Sequence, residues 1–228
     1  MRVLLVTILS LSIQACGLPQ GARRSTHEDS KALAQEPEPG SPFHSLHGWP
    51  ETVKFYIAAD APKQIIEGAI RAAESWNSAS GRSLLEYAGL TESKRDESLY
   101  GSLNDDLTVI YYEDHWKATT GKSDTTLATT VWENDGASDS IVKGDIIMNT
   151  EIYKFVDALE PSQDNRVKDL ADAESVLLHE LGHLLGLDHV AIEADSLSVM
   201  HAQTSIGPDV TFRILSEQDT ANIRTLYP

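Results

Sequence analysis

"HELGHLLGLDH", residues 179–189, places three histidines and a glutamate within eleven positions of a chain that holds only eight histidines in 228 residues. At ordinary residue frequencies this pattern arises by chance in on the order of one sequence in ten thousand. The stretch continues an apolar segment, and "DLADAESVLLHELGHLL" (169–185) reads as one helix. Acids in its first turn suit the helix dipole, and Gly186 is placed to end it. His179 and His183 are four apart, so their side chains leave one face a turn apart and can reach one ion at ~2.0–2.1 Å. Glu180 is not a ligand by this geometry; it can approach the fourth coordination position, where water sits. Gly186 can take the left-handed conformation that turns the chain back and brings His189 beneath the ion as a third ligand.

Three neutral imidazoles leave a metal ion its full double positive charge and one open position. That arrangement is catalytic, because a structural zinc site is closed by a fourth protein ligand. Zinc is favoured for an all-imidazole tetrahedral set, although copper or nickel would bind by affinity alone. A bland alternative is an amphipathic helix with satisfied surface histidines. The eleven-residue form of the motif weighs against it.

The remaining chain is long enough for one well-filled core, at 41% hydrophobic composition. A formal charge of -17 argues against nucleic acid or an anionic membrane surface as partner. No apolar run reaches the ~20 residues of a spanning helix. The N-terminus reads as an export signal: Arg2, then the apolar "VLLVTILSLSI" (3–13), then "IQAC" (13–16). That ending resembles the bacterial lipobox, whose cysteine is lipidated. Cys16 is the only cysteine, which excludes an intramolecular disulfide. Two other readings of it stand: a cleaved secretory signal with an incidental cysteine, and a zinc-latching cysteine switch. "CGLP" (16–19) matches the switch peptide PRCGxPD only in part, with Gln14-Ala15 before it and Gln20 closing it. Residues 1–15 are thus expected as a lipoprotein signal peptide, 16–47 as a Pro-, Gly- and Ser-rich tether, and 48–228 as one domain. The expected location is the bacterial cell envelope, lipid-anchored on the periplasmic or outer face, with secretion as the alternative. The expected state is a monomer.

Within 48–228, strands are predicted at 52–59, 83–89, 106–114, 125–135 and 141–151. A first helix over 61–80 presents Ile66, Ala69, Ile70, Ala73 and Trp76 on one face, and a last helix over 215–228 starts at a Ser216 cap. This order gives an α+β fold with one mixed sheet.

At these residues the chain resembles the metzincin zinc endopeptidases, and within them the matrixins. The family motif HExxHxxGxxH is met at His179, Glu180, His183, Gly186 and His189, and "SVMHA" (198–202) supplies Met200 for the methionine turn under the zinc. "GWPETVKFYI" (48–57) is similar to the opening strand, "AIRAAESWN" (69–77) to the first helix, "GDIIMN" (144–149) to the antiparallel edge strand beside the cleft, and "LSEQDTANIRTLYP" (215–228) to the closing helix. The resemblance implies a twisted five-stranded mixed sheet with an antiparallel edge strand, an active-site helix and a C-terminal helix. It also implies one catalytic Zn2+ on His179, His183 and His189, with Gly186 and Met200 structural. The implied reaction is hydrolysis of internal peptide bonds, with Glu180 as general base and the protein substrate extended along 144–149. Thr129 and Thr130 stand where the animal members place a structural-zinc histidine, so no second zinc is expected. Calcium could bind the acidic loop "ENDGASDS" (133–140), but such loops are usually just solvated, and none is expected. Ala202 stands where some metzincins have a tyrosine ligand, and the Pro-Tyr that follows the methionine in the family is missing. The rival reading is a catalytically idle zinc-binding or adhesive lipoprotein on the same fold, against which the retained Glu180 speaks.

Overall fold

In the computed structural model the residues described are 41–45, 47–93, 99, 103, 105–160, 170–202 and 210–228. The expected signal peptide and Cys16 lie outside them. The elements in chain order are β1 (Val53–Ala58), α1 (Lys63–Ser80), β2 (Leu85–Thr91), β3 (Thr108–Glu113), α2 (Trp116–Thr120), β4 (Ala128–Asn134), β5 (Ile141–Asn149), β6 (Lys154–Val156), β7 (Leu170–Asp172), α3 (Ala173–Leu184) and α4 (Glu217–Leu226). Five strands form a mixed sheet in the order β2-β1-β3-β5-β4. All its pairs are parallel except β4 with β5, at one edge. The fold is therefore the expected α+β arrangement. No helix among the described residues is long and apolar enough to cross a membrane.

Parallel neighbours need a crossover, and α1 supplies it between β1 and β2. Pro62 precedes its first residue, and Gly81 ends it at φ 73°, donating its N–H to Asn77 O. The buried face carries Ile65, Gly68, Ala69, Ala72, Ala73 and Trp76, while Ile66 and Ile70 are only half-buried. The face is rotated from the expected one because α3 crosses α1 closely at its small residues. A Cβ on Gly68 would stand 3.1 Å from Glu174 N. Every residue of α3 is buried, packed between α1 and the strands β4 and β5. A helix covered on all sides needs to be apolar all round, and this one is, apart from Glu174 and Ser175 in its first turn and the residues that carry the site.

"GDIIMN" (144–149) is not the edge strand. It forms most of β5, an interior strand between β3 and β4, and the antiparallel edge is β4 at 128–134. The unbroken burial of Gly144–Asn149 is what a strand covered on both faces produces. The predicted helix at 169–185 is also shorter. Residues 170–172 pair in parallel with β6, and Asp172 caps α3 by accepting from Ser175 N at 2.9 Å.

Residues 42–45, the end of the stretch read as a tether, are hydrogen-bonded to the domain. Phe43 bridges Leu187, His44 N donates to Gly186 O at 3.0 Å, and Asp188 N donates to Pro42 O at 2.7 Å. Composition averaged over 16–47 hides this contact, which the side chains of Phe43, His44 and Ser45 make together with a few main-chain groups.

A buried ion network ties the start of α3 to the segment leading into α4. Arg213 meets Asp172 through Nε at 2.8 Å, Asp157 at 2.6 Å and Glu174 at 3.0 Å. Arg71 of α1 joins at Glu174 (2.6 Å) and Asp157 (2.9 Å). Burial by itself would raise the Asp172 and Asp157 carboxyls, but the Arg213 guanidinium together with hydrogen bonds from neighbouring main-chain N–H groups outweighs it and holds both below the usual carboxylate range. Folded pKa values below the unfolded ~3.9 mean stability that is complete above about pH 4 and lost as pH falls through the folded values. Arg213→Met should therefore cost about 3 kcal/mol at pH 7, since it strands buried carboxylates. The difference from wild type should shrink below about pH 4, as urea unfolding at pH 7 and pH 3 will show. An equal difference at both values would refute this role for Arg213.

Candidate metal centre

The site depends on how α3 ends. Its last four carbonyls have no partner inside the helix and must find donors elsewhere. Leu181 O accepts from Leu185 N and Gly182 O from Leu187 N, each at 3.0 Å. His183 O accepts from Gly186 N at 2.9 Å and from His44 Nε2 at 2.7 Å, and Leu184 O from Trp49 Nε1 at 2.6 Å. The bonds at Gly182 and His183 form a Schellman turn, with Gly186 at φ 104° in the position that favours glycine. Tyr227 caps the turn by donating to Leu185 O at 2.7 Å. Segments from both ends of the chain thus fix the direction in which residues 187–189 leave the helix.

That direction brings His189 to the other two histidines. His183 Nε2 lies 3.0 Å from His179 Nε2 and 3.1 Å from His189 Nε2. The Nδ1 atoms of His179 and His183 face carbonyl oxygens, Val199 O at 2.7 Å and Leu187 O at 2.9 Å. A ring nitrogen facing a carbonyl must carry the proton, so the neutral ring turns an Nε2 lone pair inward. Burial pushes His179 and His183 well toward the neutral form, His183 further because His179, His189 and His44 crowd it. Burial, then His44 and His201, lowers His189 to about 4. Neutral acceptor nitrogens about 3 Å apart, with no proton to share, repel one another unless a cation lies between them. Tetrahedral ligands on a zinc-sized ion stand about 3.3 Å apart, so the donor set fits Zn2+. Among the described residues, no fourth His, Cys, Asp or Glu ligand joins these three. Glu180, on the same turn, is fully buried.

The methionine turn carries the opposite wall. Val199 O orients His179, and Met200 O accepts from Val190 N at 2.9 Å, just after His189. Asp219 of α4 holds this turn, accepting from Ser198 Oγ at 2.5 Å and Val199 N at 2.9 Å while closing the capping box with Ser216 N at 3.0 Å. Met200 itself is buried, with its sulfur against Gly182 of α3.

A family model described as Matrixin matches residues 59–228, a span that includes α3, the three histidines, the methionine turn and α4. The chain belongs to the matrixin family. It carries a zinc metalloprotease-type domain, the activity class of matrixins. No curated protein matches the chain.

In this matrixin the structure gathers His179, His183 and His189, with Glu180 beside them and Gly186 and Met200 in the two supporting turns. Thr129 and Thr130 lie on β4 and face opposite ways. Thr129 is buried opposite Ile147 in the β4–β5 register, while Thr130 reaches Glu180. In the loop 133–140, Asn134 and Ser138 bond Asp139 and Asp135. A second cluster, Glu113, Asp114 and His115, is half to fully exposed. The sequence reading missed His44, Trp49, Thr130 and Asp219. Only Asp219 had a signal, the Ser-x-x-Asp capping pattern at 216–219.

A Cβ on Gly182 would overlap Met200 Sδ and stand 3.0 Å from the Trp76 ring. Gly182→Ala should therefore destabilise by about 1–2 kcal/mol, since overpacking outweighs the helix-propensity gain. Urea unfolding of the metal-free protein checks this, and a variant more stable than wild type would contradict the packing.

Proposed function

We propose that this matrixin is a zinc-dependent endopeptidase that hydrolyses internal peptide bonds of extended protein substrates. The observation that carries the reading is the gathering of three histidine Nε2 atoms, those of His179 and His183 turned inward as acceptors, beside a fully buried Glu180. A zinc ion held by His179, His183 and His189 would lower the pKa of water toward ~7 and stabilise negative charge on a scissile carbonyl oxygen. Glu180 accepts the proton as water attacks the carbonyl carbon, then returns it to the amine nitrogen as the C–N bond breaks. The substrate lies along the outer edge of β4, the last strand of the sheet among the described residues. Main-chain pairing there gives affinity without much side-chain selectivity. The rival, an idle zinc-binding protein, would have no use for a buried carboxylate next to the ligands.

The function also has a location. Cys16 carries a lipid anchor at the bacterial cell envelope, and the following residues hold the domain away from the membrane.

Glu180→Ala should keep one zinc per chain while losing several orders of magnitude in the rate of quenched-peptide cleavage, and His183→Ala should lose the zinc. Near wild-type cleavage by the first variant would remove Glu180 from the mechanism. For the anchor, Cys16→Ser should move the protein from the membrane to the soluble fraction with its specific activity unchanged. An activated variant that stays in the membrane would instead establish a cysteine switch.

A further inference from the structure

Thr130 sits at the centre of β4, on the face turned toward α3. Its Oγ1 lies 2.7 Å from Glu180 Oε2 and 3.1 Å from the Glu180 main-chain oxygen, and both residues are buried. A hydroxyl has one proton to give. The shorter contact has the length of a charge-assisted bond, so the proton goes to the carboxylate. Valine would fill the same volume and suit a strand at least as well, and packing therefore does not require the hydroxyl. The carboxylate does use it.

We infer that Thr130 is a positioning residue for the proton-transferring Glu180, fixing one carboxylate oxygen so that the other carries the proton. The inference rests on the endopeptidase reading given above. A glutamate that takes a proton from water and delivers it to a leaving nitrogen has to present the same oxygen to both. With Oε2 held by Thr130, the carboxylate gains the proton on Oε1 as the water oxygen bonds to the carbonyl carbon. Oε1 then loses that proton to the nitrogen as the C–N bond breaks, and the threonine keeps its own proton throughout. The geometry has a second consequence. β4 is the strand along which substrate lies, so one residue of that strand fixes the base while its neighbours fix the peptide. The height of the scissile bond above Glu180 is then set within a single element, with no loop between them.

The test uses the full chain loaded with zinc and a quenched peptide substrate. Thr130→Val should keep one zinc per chain and lose about 10- to 100-fold in kcat, the cost of a misplaced catalytic group, with KM within about twofold. Thr130→Ser, which restores the hydroxyl, should recover kcat to within about threefold of wild type. An unchanged kcat in Thr130→Val overturns the inference, as does a serine variant as slow as the valine one. If the wild type cleaves no peptide, the endopeptidase reading fails, and the pairing is decided separately by urea unfolding of the metal-free protein. Thr130→Val should then lower the midpoint more when Glu180 is present than in a Glu180→Ala background. Equal shifts in the two backgrounds would show that the hydroxyl and the carboxylate are not coupled.

Discussion

Three imidazole Nε2 atoms gathered around one point, that of His183 lying 3.0 Å from that of His179 and 3.1 Å from that of His189, are the constraint around which this fold is arranged. Neutral rings in that position repel, and protonated ones would repel more. The protein holds them by giving His179 and His183 an outer partner, Val199 O and Leu187 O, each of which accepts a hydrogen bond from the ring Nδ1–H and aims the other nitrogen inward. One of those carbonyls belongs to the methionine turn and the other to the turn after α3. Both turns must therefore be fixed before the site exists. Asp219 fixes the first through its bonds to Ser198 and Val199, and His44, Trp49 and Tyr227 fix the second through the carbonyls at the end of α3. The closing helix and the residues before β1 are thus parts of the metal centre, although none of them touches its middle.

The sheet plays a different part. Gly144–Asn149 of the interior strand β5 is buried throughout and meets α3 directly, as does β4, the antiparallel edge. Thr130 and Trp132 project from one face of it, the first to Glu180 and the second stacked on His44 at 3.8 Å. That face joins Glu180, the end of α3 and the N-terminal segment into one packed unit. The polar network of Arg71, Arg213, Asp157, Asp172 and Glu174 secures the opposite end of the same helix.

Much of this was legible in the chain because it is local. Spacing of four on a helix, a glycine at the stop, and a serine cap before an apolar pattern each express their geometry within a few residues, so the triad, Gly186 and α4 could be read directly. The sheet class followed from the order of strands and helices along the chain. The edge strand did not, because alternation reports how a strand is covered on its faces and says nothing of its neighbours. Residues 144–149 were placed at the edge through resemblance alone, and their unbroken apolar run was the sign of an interior position. Thr130, His44 and Trp49 were out of reach for another reason. Each acts across a separation of 50 to 139 positions on a group that any sequence carries, a carboxylate or a main-chain carbonyl. Thr129 and Thr130 drew notice only as residues that are not histidine. Their opposite orientations separate a buried residue facing away from α3 from one that bonds Glu180.

The central claim is that a zinc ion here has three imidazole ligands and an open position. X-ray absorption spectroscopy of the zinc-loaded protein tests it most directly. The account predicts three histidine nitrogens at ~2.0–2.1 Å and one exchangeable oxygen, with no sulfur scatterer. A zinc–sulfur shell at ~2.3 Å, or a fourth imidazole closing the ion, would contradict it.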